Sequence, residues 1–491
     1  MFNILCPRGL AAGLLAGVVT LTPAARAQDA PLFTSDFTRE EFHRRREAVF
    51  EAVGRDAAAV LQGAPTPDNF ERFRQANDFY YLTGLEAPNA YLLLNARQRQ
   101  ATLFLPHRHP RREAMDGKTL SFEDADEVKR LTGIDAVAPL ELLSEALARS
   151  VQMGAKAFFT PFAPAEAAAT TRGSAWTADI DRYADPWDGR PARQARFLSL
   201  LRERFPAAEV KDLSPLLDEL RLIKSPAEIA LIKRATRLSC LALQEAMRST
   251  VPGLMEYELD GLAKFIYFRN GASGLSYGSL IASGPNAWYP HYSAGQRRMQ
   301  DGELLLMDFA PEVGYYQSDI TRMWPVNGRF TPEQRALYVF YLRTYRSILA
   351  NIWPGRTAAE VLKAAVAGMD TVLAESKFLK PEHEQAAKDF VEEHRRAASG
   401  FAVLGHWVGM SVHDVGFHRG PLRPGMVFTI EPQFRIPSEK GYIRLEDLIV
   451  ITETGAEVVS DWLPSDPDAI EALMAEEGLL QRYPRDAPDA R

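Results

Sequence analysis

Two cysteines in 491 residues rule out a disulfide framework. Cys6 falls ahead of a leading apolar segment and Cys240 stands alone in a helical-looking stretch, so Cys240 reads as a buried apolar thiol, with a catalytic thiol as the lesser alternative. Basic charge is also scarce. With 57 Lys and Arg against 64 Asp and Glu, a net charge of -7 argues against a dedicated nucleic-acid binder, which needs clustered cations. Repeats and low-complexity tracts are missing apart from Ala-rich helical stretches. Long apolar runs are missing too: Leu10 to Leu21 falls short of the roughly 20 residues that span a bilayer. Arg8 before that run and Ala25-Arg26-Ala27 after it make 1–27 read as a signal peptide with cleavage after Ala27. A secreted or periplasmic protein with no stable membrane span is expected, and without disulfides its stability must come from its core.

What is present is a globular composition, 46% hydrophobic and 25% charged, on a chain too long for one ordinary core. A charged helical pattern covers Asp36 to Arg55. Short apolar runs follow at Ala58–Leu61, Tyr91–Leu94, Thr102–Leu105 and Ala157–Phe159, the middle two reading as an antiparallel pair. Residues 121–149 read as largely helical, as do 193–205. Ser225-Pro226-Ala227-Glu228 is a capping box opening a long helix, 226 to about 249. Further helices are expected at 255–270, 332–352, 357–374 and 382–396. Strand-like runs lie between them, at Tyr277–Ala282, Glu303–Ala310, Ser318–Trp324, Met426–Ile430 and Tyr442–Ile451. Several are joined by Gly- or Pro-containing loops, which favours antiparallel pairing. The expected fold class is α+β: a smaller α/β N-terminal domain over 28–215, a catalytic domain over 216–470 built on an antiparallel sheet, and a tail over 471–491, with the junction between 206 and 222.

Polar residues in these apolar runs need compensation. Asp308 ends Leu304-Leu305-Leu306-Met307 and Asp319 begins the next run, so a hairpin would set two carboxylates face to face and raise one pKa. A divalent cation removes that penalty; so would a neighbouring Arg, and Arg322 is at hand for Asp319. Glu431 follows Val-Phe-Thr-Ile and Glu446 follows Ile-Arg-Leu, with Arg444 as a possible ion-pair partner of Glu446. Four carboxylates plus the single imidazole of His406 form an oxygen-rich donor set suited to Mn, Co, Fe or Zn, with ligands enough for two ions. His413 and His291 flank the same segments without being needed as ligands, which suits proton transfer or stabilisation of a tetrahedral intermediate. His43, His107, His109, His383, His394 and His418 lack such context.

Asp308, Asp319, His406, Glu431 and Glu446, in that order, with Gly-His-Trp-Val-Gly-Met-Ser-Val-His-Asp around the third and Ile-Arg-Leu-Glu-Asp around the fifth, resemble the pita-bread metallopeptidases, and among them the Xaa-Pro aminopeptidases. The likeness extends to Asn77-Asp78-Phe79-Tyr80-Tyr81-Leu82-Thr83-Gly84 and to Ile223-Lys224-Ser225-Pro226, so it covers nearly all of the chain after the leader. It implies a pita-bread catalytic domain holding two divalent ions, Mn(II) first, with Zn(II), Co(II) or Fe(II) as alternatives. Asp319 and Glu446 would be shared between the ions, Asp308 would complete one site, and His406 with Glu431 the other. Glu431 would accept the proton of the attacking water, His291 and His413 would meet the substrate, and Tyr277 and Arg444 would support the ligands. Three positions depart from the family pattern: Ala402 stands where many members carry His, Gln433 where Gly is common, and Arg435 where some have Tyr.

The resemblance implies removal of the N-terminal residue from peptides with proline second, by a homo-oligomer (dimer or tetramer). A prolyl bond is a tertiary amide of restricted geometry, which suits a dedicated pocket. Prolidase action on Xaa-Pro dipeptides is the near alternative. A creatinase-like hydrolase without metals and a non-catalytic binding protein are the distant ones.

Overall fold

The short apolar runs of the first half assemble one mixed six-stranded sheet. The computed structural model describes residues 33–67, 72–416 and 419–483, so the expected signal peptide, His418 and the end of the expected tail lie outside the described residues. The sheet order is Ala136–Pro139, Gln100–Leu105, Tyr91–Asn95, Ala57–Gln62, Ala157–Thr160, Glu209–Asp212. Ala57–Gln62 lies inside it, antiparallel to Tyr91–Asn95 and parallel to Ala157–Thr160, which is why its run is apolar on both faces. Leu92 pairs with Leu103, as the expected antiparallel pair requires.

The helix expected over 121–149 is interrupted. Gly133, at φ +63°, ends the Ala125–Thr132 helix in a left-handed turn, and Ala136–Pro139 then joins the sheet beside Gln100–Leu105 before Leu143–Gln152 resumes as helix. The expected junction contains the edge strand Glu209–Asp212 and the helix Ser214–Leu222. An additional helix, Arg172–Ala184, precedes it.

The long helix runs over Pro226–Ser249 with the capping box in place. Glu228 N–H donates to Ser225 Oγ at 3.3 Å, and Ser225 N–H donates to Glu228 Oε2 at 2.8 Å. Glu256–Arg269, Pro332–Leu349, Ala358–Glu375 and Pro381–Ser399 are the other expected helices. Strands of the second half are all antiparallel, but they form separate small ladders. One comprises Leu280–Ser283, Leu304–Asp308 and Thr321–Pro325; a second comprises Val427–Ile430, Asp447–Ile451 and Ala456–Val458. A single bridge between Thr321 and Glu446 ties these two together. Pro311–Val313 turns away to lie between Tyr316–Gln317 and Gly274–Leu275, pairing with both, and Phe434–Ile436 pairs with Gly441–Ile443.

Residues from Phe33 onward form one compact unit. Charged contacts stitch its early and late segments: Arg74 Nε donates to Glu312 at 2.8 Å and Ser225 Oγ to Glu41 at 2.6 Å. Among the described residues, no helix is long and apolar enough to cross a membrane.

Candidate metal centre

Three of the acidic side chains of the cluster sit where a strand stops or starts. Asp308 ends Leu304–Asp308, Glu431 follows Val427–Ile430, and Glu446 immediately precedes Asp447–Ile451. Ladder hydrogen bonds satisfy these backbones and hold the side chains at fixed points. His406 is delivered by an extended stretch beside Val427–Ile430, where Trp407 bridges to Phe428 and Thr429 N–H donates to His406 O at 2.9 Å. Gly405 makes this approach possible, because a Cβ there would lie 1.9 Å from Thr429 O.

The expected face-to-face pairing of Asp308 with Asp319 is not what the register provides. Asp308 pairs with Thr321, and Asp319 lies two residues before that strand, because the Pro311–Val313 and Tyr316–Gln317 hairpin belongs to another ladder. The two carboxylates still converge, joined by Tyr277, whose Oη lies 2.5 Å from Asp308 Oδ1 and 2.5 Å from Asp319 Oδ1. Tyr277 itself stands in the loop between Gly274–Leu275 and Leu280–Ser283, not in the expected strand. Three carboxylates surround His406 Nε2: Asp319 Oδ2 at 3.3 Å, Glu431 Oε1 at 3.4 Å and Glu446 Oε1 at 3.8 Å.

The five expected ligands thus form two overlapping groups, Asp308–Asp319–Glu446 and His406–Glu431–Glu446, each with donor atoms within 4.8 Å of one another. Their electrostatics call for cations. Burial, then the charges of Asp308 and Glu431, push the Asp319 carboxyl well above its usual range. Glu446 is pushed the same way by burial and then by Asp319, Glu431 and Asp308. Arg444 offsets only part of this: Nη2 donates to Asp308 and Nη1 to Glu431 at 3.2 Å. Thr321 Oγ1 donates to Glu446 Oε2 at 2.7 Å, while Glu446 Oε1 is buried with no hydrogen-bond partner. A hard donor set, an orphaned carboxylate oxygen aimed at it and a surplus of negative charge fit a pair of divalent cations. The contrast with Glu333, His383 and Glu439 is instructive. There Lys380 Nζ reaches both carboxylates, at 2.6 and 2.7 Å, and supplies the positive charge.

Both local ion-pair alternatives fail in the structure. Arg322 pairs with Asp447 at 2.6 Å instead of Asp319, and Arg444 serves Asp308 and Glu431 instead of Glu446. His413 stacks on the His406 ring with centroids 3.8 Å apart. Its pKa is pulled down to about 3, chiefly by burial and then by His406 and His291, although the residue as a whole remains exposed to solvent. His291 lies on the exposed loop after the Gly284–Trp288 turn. Gln433 and Arg435 act together: Arg435 Nη2 donates to Gln433 at 2.7 Å while its guanidinium lies 5.2 Å from the Trp288 ring and 5.1 Å from Tyr442. Ala402 lines an apolar cavity of about 320 Å3 with Phe401, Val403, Trp407 and Phe428. Burial pushes the Cys240 thiol up to about 12, which leaves it an inert core group. Thr321 escaped the sequence reading, because its hydroxyl looks like ordinary strand composition until the bridge to Glu446 is seen.

The sequence profile of metallopeptidase family M24 matches residues 230–453, and that of the aminopeptidase P N-terminal domain matches 42–159. The chain is 32% identical over 459 residues to Xaa-Pro aminopeptidase of Escherichia coli (strain K12), covering 90% of this chain and 98% of the relative. It is 30% identical over 476 residues to Homo sapiens Xaa-Pro aminopeptidase 3, covering 90% and 87%. Among solved structures, Escherichia coli aminopeptidase P with the inhibitor Pro-Leu aligns with a TM-score of 0.71 at 31% identity, over 90% of this chain and 99% of that one. Pseudomonas aeruginosa aminopeptidase PepP aligns with a TM-score of 0.72 at 30% identity, over 89% and 98%.

Proposed function

Because the chain belongs to metallopeptidase family M24 and carries the aminopeptidase P N-terminal domain, we propose that this metalloaminopeptidase releases the N-terminal residue from peptides with proline at the second position, using two divalent cations. The observation that carries the reading is the pair of overlapping donor groups meeting at Glu446, whose inner oxygen has no hydrogen-bond partner. Asp308 and Asp319 would hold one cation with Glu446, and His406 and Glu431 the other, Asp319 and Glu446 being shared. When bound, the cations supply Lewis-acid polarisation and offset the carboxylate repulsion. Mn(II) is the first choice for this one-imidazole, four-carboxylate set.

The side chains divide the remaining work. Glu431 is the most open of the site carboxylates, so Oε1 is placed to take a proton from an attacking water. His413 stays neutral at pH 7 and offers a ring N–H to the scissile carbonyl without adding charge. His291, on the exposed loop after the Gly284–Trp288 turn, would meet the substrate. Tyr277 keeps its phenolic proton, since burial and then Asp308 and Asp319 hold its pKa far above the usual value, and it fixes the orientation of both carboxylates. Arg444 fixes Asp308 and Glu431 in the same way.

The same reading includes export directed by residues 1–27, a functional division between 28–215 and 216–470, and a homo-oligomeric enzyme. Exposed Trp176, Ile180, Tyr183 and Trp187 offer apolar surface for assembly, which light scattering would test. Hydrolysis of an Xaa-Pro-Xaa tripeptide compared with an Xaa-Pro dipeptide tests the substrate class. Tripeptide cleavage is expected; cleavage of the dipeptide alone would make the protein a prolidase.

A further inference from the structure

His413 sits in a loop whose neighbours come from far away in the sequence. Met410 O accepts from Asn77 Nδ2 at 3.0 Å, Arg74 Nη2 at 3.3 Å and Gln317 Nε2 at 3.3 Å. Ser411 Oγ donates to Thr170 O at 3.1 Å. Asp414, with its carboxylate buried, accepts from Arg221 Nη2 at 2.7 Å and lies 3.1 Å from Lys224 Nζ, while its own N–H donates to Trp407 O at 2.7 Å. Arg221 is in turn anchored by Asp78 at 2.7 Å and Glu166 at 3.4 Å.

This arrangement is close-fitting. A Cβ at Gly409 would lie 2.1 Å from Asp414 Oδ2 and 2.9 Å from Lys224 Cε, so backbone and ion pair are packed against each other. Among the groups that fix Asp414 are two cations from residues 221–224 and the carbonyl next to His406. Between the anchored Ser411 and the anchored Asp414, the His413 imidazole stacks on the His406 ring with an interplanar angle of 25°. Buried charge pairs are costly to assemble and more costly to leave half-made, so their geometry is unforgiving. None of Arg74, Asn77, Thr170, Arg221 or Lys224 belongs to the carboxylate cluster.

We infer that Asp414, held by Arg221 and Lys224, is a positioning residue that sets the His413 imidazole against the metal centre, so that the early part of the chain governs turnover through this one loop. The inference rests on the functional reading above, in which His413 meets the scissile carbonyl. It differs from a general stabilising role in that its effect must run through His413.

A double-mutant cycle on the full-length, Mn(II)-loaded protein with an Xaa-Pro-Xaa tripeptide tests it. Asp414→Asn is expected to lower kcat about tenfold, with KM changed less than about twofold and metal content retained. In a His413→Ala background the same substitution should change kcat no further. Equal losses in both backgrounds, or metal loss in step with activity, overturn the inference. Where melting shows that Asp414→Asn does not fold, Ser411→Ala decides by the same criterion: it removes one uncharged bond, and a loss of about threefold is expected that vanishes without His413. No loss, or an additive one, overturns it. A wild-type protein that leaves tripeptides intact overturns the functional reading and this inference together, whereas an active wild type with additive cycles overturns this inference alone.

Discussion

Glu446 shows most plainly what the site asks of individual side chains. One oxygen is satisfied by Thr321 while the other is buried without a partner, among carboxylates that raise its pKa. Asp319 shares the same surroundings, so Asp319→Ala should cost metal and activity together, with kcat/KM falling about 10^3-fold or more and metal content dropping by mass analysis. His413→Ala should behave differently, lowering kcat about 10^2-fold with metal content nearly intact. Loss of metal from His413→Ala would mean that this imidazole is a ligand. The identities of these residues were legible in the sequence because ionisable groups in apolar strand-like runs are expensive. Their partners were not: Arg444 lies two positions from Glu446 yet serves Asp308 and Glu431, since which groups a guanidinium can reach depends on the folded ladders.

Among the elements, the ladders position the cluster and the glycines beside them permit it. Gly405→Ala is expected to destabilise the protein by about 1–3 kcal/mol and to displace His406, because the added methyl meets the Thr429 carbonyl of the adjacent strand. Thermal melting together with a metal titration checks both effects; an unchanged melt with full metal binding would contradict the close approach. Helices were the easiest elements to read, since a capping box and Pro at N1 mark a start, as at Ser225; the structure adds a second such box at Thr331. Short strands were harder. Ala136–Pro139 is too short and too plain to stand out, and Tyr277 falls in a loop within a run that reads as strand. The hairpin between Asp308 and Asp319 misled for a related reason: its residues pair with Gly274–Leu275, a ladder that only the tertiary fold defines.

For the whole molecule, metal, protons and stability are linked. In the metal-free protein the raised Asp319 and Glu446 carboxyls stay protonated at pH values where the unfolded chain has ionised them. Their contribution is therefore fully present below the usual carboxylate pKa of about 4 and is lost as pH rises towards the raised values. Cation binding should reverse this, so the Tm gain from Mn(II) should be larger at pH 8 than at pH 6, with protons released on binding in calorimetry across two buffers. An equal Tm gain at both pH values with no proton release would contradict the carboxylate account. The overall architecture was legible as two differently patterned halves. The buried charges joining early and late segments, such as Arg221 with Asp414, were not, because the partners are separated by most of the catalytic sequence.

The central claim is that the carboxylate cluster with His406 holds the cations on which hydrolysis depends, and metal analysis coupled to activity tests it most directly. The purified protein should bind two divalent ions per chain, lose tripeptide hydrolysis when a chelator strips them, and regain it when Mn(II) is returned. Full activity in the stripped protein would contradict the account.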